Sequence, residues 1–251
     1  MSKLYIDESS YDDIQAILFD KDGTIIDFMV WIHWLEAFLN FLDSVVSVPY
    51  HKSFVRHSLG VSANYRSWDS TGAFAMGTSQ DLFTIVSLAF YQQGLPWEQA
   101  YQTVLETHQK FEKTFAYSHY MEPVKGLPAF LQQAKELNIP MGVVTSDNQE
   151  QAVQHLELIG LTTHFTSVVG ADMVNRGKPF PDMVYLACQQ LEAPLEKTII
   201  FGDSNGDMLL GKHSGLLGGI GVLSQAYISD KHLRDAEYII KDYRSVALHK
   251  M

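Results

Sequence analysis

Residues 17–24 read ILFDKDGT. Three apolar residues run into two acids one residue apart, and a Gly-Thr pair follows. A carboxylate at the end of a buried stretch is costly unless a cation or hydrogen bonds compensate it, and two on one side also repel each other. In an extended segment, residues two apart point the same way, so Asp20 and Asp22 are expected to face one site. The stretch therefore predicts a buried strand that ends on a ligand.

Short apolar runs bounded by turn residues recur along the chain: Ala16–Phe19, Met141–Thr145, Ser167–Gly170, Thr198–Gly202, Gly219–Leu223 and Tyr238–Ile240. Such runs read as buried parallel strands. Helical patterns lie between the later ones, at Leu127–Leu137, Gln149–Ile159, Asp182–Leu191 and Asp207–Ser214. Strand alternating with helix predicts a doubly wound α/β fold with a parallel sheet. The exception is residues 27–120, where apolar residues recur at helix spacing almost throughout. Examples are Trp31, Trp34, Leu35, Phe38 and Leu42, then Leu82, Ile85, Val86 and Ala89. An all-helical domain over 27–120 is thus expected, inserted into a sheet domain made of residues 1–26 and 121–251.

At 251 residues the chain is long enough for a sheet domain with such an insertion. Its apolar fraction of 46% and charged fraction of 19% are those of a globular protein. A formal net charge of -11 without a concentrated basic patch argues against nucleic acid as a partner. The single cysteine, Cys188, lies in the apolar helical stretch VYLACQQL and reads as a buried structural thiol. The opening MSKLYIDESSYDD does not resemble a signal peptide, and no apolar run is long enough to span a bilayer. The expectation is a soluble, cytoplasmic protein with no membrane partner.

Ligands of open α/β sheets bind at the carboxyl ends of the strands, so the residues closing each run belong together. They are Asp20 and Asp22, then Thr145, Ser146 and Asp147, and later Asp203 and Asp207, with Lys178 standing before the fourth strand. Hard oxygen donors suit Mg²⁺, which binds phosphate oxygens while keeping several waters. A lysine and hydroxyls suit the remaining phosphate oxygens. One carboxylate can attack phosphorus, and a second carboxyl group can protonate the leaving oxygen.

These segments also resemble those of the haloacid dehalogenase superfamily, in its phosphoglycolate-phosphatase-like branch. FDKDGT, VVTS, the lysine of GKPFPD and GDSNGD are similar to its four motifs in order, and AMGTSQDLF is similar to segments of its mobile helical cap. The resemblance implies a Rossmann-like core whose cap is inserted after the first motif. It makes Asp20 the nucleophile and Asp22 the general acid/base, with Thr145, Ser146 and Lys178 on the phosphoryl group. Mg²⁺ would be held by Asp20, Asp203 and the Asp22 backbone carbonyl, and Asp207 would support the metal's waters or Lys178. A small phosphorylated metabolite is the implied partner. The implied activity is a phosphatase working through an aspartyl-phosphate, and a mutase similar to β-phosphoglucomutase is the alternative.

Plainer readings compete at several positions. Asp203 and Asp207 could cap a helix, as could Ser146, Asp147 or Asn148. Asp182 reads as an acid in a first helical turn. The stripe of Trp31, Trp34 and Phe38 reads as core of the helical domain rather than a substrate platform. No histidine pair has metal-ligand spacing. His33, Arg66 and Trp68 are candidates for substrate contact.

Overall fold

The structure is a computed structural model that describes residues 2–225 and 229–250. In chain order its strands and helices are β1 (Ser2–Ile6), β2 (Ser9–Ile14), β3 (Ala16–Phe19), α1 (Met29–Val45), α2 (Lys52–Leu59), α3 (Ala73–Met76), α4 (Ser79–Tyr91), α5 (Trp97–Glu112) and α6 (Leu127–Glu136). There follow β4 (Met141–Val144), α7 (Gln149–Leu158), β5 (Ser167–Val169), α8 (Asp182–Leu191), β6 (Thr198–Gly202), α9 (Asn205–Ser214), β7 (Gly218–Val222), β8 (Tyr238–Ile240) and β9 (Val246–Lys250). The chain divides into two compact units, Met1–Phe28 with Met121–Met251, and Met29–Tyr120. No helix among the described residues is long and apolar enough to cross a membrane.

The first unit carries a six-stranded parallel sheet in the order β5-β4-β3-β6-β7-β8. Strand β3 is central and fully buried, as its unbroken AILF run requires. The chain winds outward from β3 through β4 to β5, then returns to β6 on the other flank of β3, so the order reverses there. Register places Phe19 beside Val143 on one side and beside Phe201 on the other. Phe19 and Phe201 stack with ring centroids 5.4 Å apart, and Phe130 of α6 and Tyr243 pack against both. Burying a large aromatic contributes about 3–5 kcal/mol over alanine, so this cluster fixes the strand ends that follow it.

A second sheet was not foreseen. Strands β2-β1-β9 form a three-stranded antiparallel sheet in which Ser2 pairs with Lys250 and Ile6 with Val246. Helix α9 also begins at Asn205, two residues ahead of its expected start. The Ser204 hydroxyl caps the amide of Asp207, and the Asp207 carboxylate returns the bond to the Ser204 amide. Such a reciprocal cap sets the first turn from its preceding residue.

The helical unit packs Leu35, Phe38, Leu39 and Leu42 of α1 with Val55, Val86, Phe90 and Val104 from the other helices. In α1 the buried residues recur three and four apart, the spacing of one helix face. Helix α4 starts at a capping box between Thr78 and Asp81. Glu112 accepts hydrogen bonds from Trp34 Nε1 at 2.7 Å and the Tyr117 hydroxyl at 2.9 Å, and lies 3.3 Å from His108 Nε2. Burial alone would push its carboxyl up, but these partners outweigh that and hold it below its usual range. Trp34 and Phe38 lie in the helical core and Trp31 packs on Tyr117, as the stripe predicts. His33 packs at a tilt on Tyr120, with ring centroids 4.9 Å apart, and the Trp68 backbone bridges to Val61. The Arg66 amide closes a turn on Ser62 and Asn64.

The segments leading out of and back into the sheet unit are tied to each other within that unit. The Asp27 amide donates to the Glu122 carbonyl and the Val124 amide to the Ile25 carbonyl, both at 2.9 Å.

Candidate active site

Strands β3 and β6 end side by side, and the Asp20 amide continues the ladder by donating to the Phe201 carbonyl at 2.8 Å. Asp20 and Asp203 therefore leave adjacent strands at the same edge, where the strand order reverses. Lys178, on the segment before α8, donates to Asp20 Oδ1 at 2.5 Å and to Asp207 Oδ1 at 2.6 Å. Its peptide bond to Pro179 is cis. Asp207 is buried, and its other oxygen accepts from the Ser204 amide and hydroxyl at 3.0 and 2.7 Å. Asp207 thus ties Lys178 to the first turn of α9 while serving as the reciprocal partner in that helix cap.

Asp20, Asp203 and Asp207 each offer one carboxylate oxygen, and the three oxygens lie within 4.8 Å of one another. Burial lifts Asp20 to about 7, against a carboxylate's usual 3.8; Lys178 pulls it down, while Asp207 and Asp22 push it further up. Asp203 is raised well above its usual range by burial, then by Asp20 and Asp207. Burial lowers the Lys178 ammonium, but its two carboxylates more than offset this and hold it above the usual lysine range. One ammonium facing three acids leaves a surplus of negative charge on hard oxygen donors. A divalent cation of the Mg²⁺ class fits both that donor set and that surplus.

Two glycines make this approach possible. A Cβ on Gly23 would lie 2.0 Å from Asp203 Oδ2, and the residue sits at φ +78°. A Cβ on Gly202 would lie 2.2 Å from the Asp207 Cβ. The glycines of DKDGT and GDSNGD are the space that the two later acids occupy.

Asp22 lies close enough for its charge to raise both Asp20 and Asp203, but its side chain is engaged elsewhere. The chain turns at Lys21, whose carbonyl accepts from the amides of both Ile25 and Ile26, so strand periodicity ends there. The Asp22 carboxylate is not in the converging trio. Both of its oxygens accept from the ammonium of its neighbour Lys21, at 2.7 and 2.8 Å. Lys21 is fully buried, and its Nζ also lies 2.9 Å from Asp147 Oδ2 and 3.2 Å from His155 Nδ1 on α7. Burial would lower this lysine, but Asp22 and Asp147 outweigh it and raise it. Any place for Asp22 among metal ligands rests on its backbone carbonyl, not its side chain.

Thr145 closes β4 one strand away, buried, with Oγ1 accepting from the Asp147 amide at 3.2 Å. Ser146 beside it is exposed, and the capping role at α7 falls to Asn148, whose side chain accepts from the Gln151 amide. Asp182 stands in the first turn of α8 and pairs with Arg176 at 2.9 Å. Cys188 is buried, and burial pushes its thiol up. Sequence reasoning passed over Lys21, Asp147 and His155 as a group. The available signal was a lysine set between two acids directly after a fully buried strand, where a buried ammonium needs acidic partners.

Among known families, the pattern of the haloacid dehalogenase-like hydrolases matches residues 14–215. The chain is 25% identical over 202 residues to the pyrophosphatase PpaX of Bacillus pumilus, covering 80% of each chain. It is 27% identical over 235 residues to the validoxylamine A 7'-phosphate phosphatase of Streptomyces hygroscopicus subsp. limoneus, covering 92% of this chain and 95% of that one. Among solved structures, a candidate β-phosphoglucomutase from Thermotoga maritima superposes with a TM-score of 0.67 at 22% identity, over 91% of this chain and 94% of that chain. At that identity the last likeness speaks to the fold alone.

Proposed function

The chain belongs to the haloacid dehalogenase-like hydrolases, and we propose that it is a Mg²⁺-dependent phosphatase acting on a small phosphate monoester. The observation that carries this reading is the Lys178 ammonium bridging Asp20 and Asp207 beside Asp203 at one sheet edge. The names of the curated relatives, a pyrophosphatase and a phosphatase of a phosphorylated natural product, support a small phosphorylated substrate.

In this reading the Asp20 carboxylate attacks phosphorus, the bond from phosphorus to the ester oxygen breaks, and the departing alkoxide takes a proton from Asp22. Water then attacks phosphorus and gives its proton back to the Asp22 carboxylate. The bond from phosphorus to Asp20 breaks, and phosphate leaves. Lys178 orients Asp20 and, with Thr145 and Ser146, holds phosphoryl oxygens, while Asp207 fixes Lys178. Mg²⁺, held by Asp20, Asp203 and the Asp22 carbonyl with Asp207 near its waters, would supply charge neutralisation for the phosphoryl oxygens. Residues 27–120 serve as the substrate-selecting cap.

A panel of phosphorylated metabolites assayed for phosphate release with Mg²⁺ tests the reading. Release from at least one monoester, abolished in Asp20→Asn, is expected. A positional isomer formed without phosphate release would overturn hydrolysis in favour of a mutase. Asp22→Ala should slow phosphorylation of Asp20 by alkyl phosphates by about 10²–10⁴-fold, the usual worth of general acid–base catalysis. With p-nitrophenyl phosphate, whose leaving group hardly needs a proton, the same step should slow only mildly.

A further inference from the structure

We propose that Lys21 is a positioning residue for Asp22: its buried ammonium, backed by Asp147 and His155, fixes the carboxylate that exchanges the proton. The inference rests on the assignment of Asp22 as general acid/base.

The geometry is specific. A lysine ammonium has three N–H donors and no acceptor. Here they meet both oxygens of Asp22 and Nδ1 of His155 at 3.2 Å, while Oδ2 of Asp147 lies 2.9 Å away as an ion pair. Because an ammonium has no lone pair, Nδ1 is the accepting nitrogen, which places the ring proton of His155 on Nε2. His155 is itself buried, and Lys21 has no exposed surface. An isolated buried ammonium would be strongly unfavourable, so its partners have to stay in place for it to be tolerated there. A carboxylate at a turn would otherwise sample several rotamers. Held by both oxygens, Asp22 has one position relative to the β3 edge and hence to Asp20. Catalysis is sensitive to such placement: the carboxylate meets the water whose proton it takes in one geometry, and once protonated it can keep one oxygen on Lys21 while its O–H turns to the leaving oxygen.

The test is a double-mutant cycle on the phosphorylation step, measured by rapid quench with an alkyl phosphate and with p-nitrophenyl phosphate. Lys21→Met keeps the side chain's length and removes the ammonium. It should slow phosphorylation by the alkyl substrate about tenfold or more, a fraction of the full acid–base contribution, and by the aryl substrate about threefold at most. In the Asp22→Ala background the same substitution should change neither rate further, because its effect passes through Asp22. Equal slowing on both substrates, or an effect that adds to that of Asp22→Ala, would show a structural role and overturn the proposal while leaving Asp22 as the acid. If Asp22→Ala itself shows no dependence on leaving group, the acid assignment fails, and the role of Lys21 falls with it. Should Lys21→Met not fold, Lys21→Met with Asp147→Asn keeps the cluster's net charge. Compared with Asp147→Asn alone, it must give the same leaving-group pattern.

Discussion

The charge imbalance around Asp20 should be visible as a pH dependence of stability in the metal-free protein. Burial and neighbouring acids lift Asp20 from 3.8 to about 7. A raised carboxyl binds its proton more tightly in the folded state, so its contribution is fully present below about pH 4 and is lost as pH rises through about 7. The whole span corresponds to about 4 kcal/mol, of which about 3 kcal/mol falls between pH 5 and 8. For a chain of this size that is a drop of roughly 6–12 °C in Tm. Asp203 is shifted the same way and adds to the slope. His164, which burial holds below its usual range, loses stability as pH falls and so opposes it. Asp20→Asn removes the titrating group, leaves Lys178 on Asp207 and relieves Asp203 of one like charge, so the comparison reads Asp20 together with its coupling to Asp203. Thermal melts in chelator at pH 5, 6, 7 and 8 should show the wild type losing ground to Asp20→Asn by that margin. Added Mg²⁺ should raise the wild-type Tm more at pH 8 than at pH 5, because the ion competes with the proton. A wild-type minus Asp20→Asn difference that stays flat across this window, or a larger Mg²⁺ effect at pH 5, would refute the reasoning.

Chelation should abolish phosphate release and Mg²⁺ should restore it, whereas Ca²⁺, with its larger and looser shell, should restore it poorly; full activity in excess chelator would remove the metal. Gly23→Ala should weaken Mg²⁺ binding roughly tenfold or more by calorimetric titration, since its Cβ would meet Asp203 at 2.0 Å. Gly94→Ala has a comparable φ of +95° but no atom within 4 Å, so it should carry the backbone strain alone and leave metal affinity unchanged. Lys178→Met should destabilise the metal-free protein by about 3–5 kcal/mol in denaturant titration, because it leaves Asp20 and Asp207 uncompensated, and Mg²⁺ should recover part of that loss.

The parallel sheet was legible because burial on both faces writes its strands as unbroken apolar runs. Ala16–Phe19, Thr198–Gly202 and Tyr238–Ile240 coincide with β3, β6 and β8. The β2-β1-β9 sheet was missed for the converse reason. With one face covered, it alternates Leu4 and Ile6 with more exposed neighbours, and the acids of IDESSYDD hide that period of two. At the site, strand ends named Asp20, Thr145 and Asp203 directly. The Lys178 contacts with Asp20 and Asp207 join residues 158 and 29 positions apart, so only folding brings them together. Asp22 was expected to share the site with Asp20, and its charge does raise both Asp20 and Asp203, but its contact with Lys21 lies in a turn that strand alternation does not describe.

The pair of hydrogen bonds between residues 25–27 and 122–124 has a consequence for how this protein can change. The exit and return of the chain are stapled together inside the sheet unit. Whatever lies between them starts and ends at the same address. Loop-closure entropy grows only with the logarithm of length, so lengthening, shortening or exchanging Met29–Tyr120 asks little of the sheet. The catalytic edge can thus stay constant while the inserted segment is traded like a tool bit in a fixed chuck, and a short turn joining Asp27 to Glu122 should leave a sheet unit that still folds.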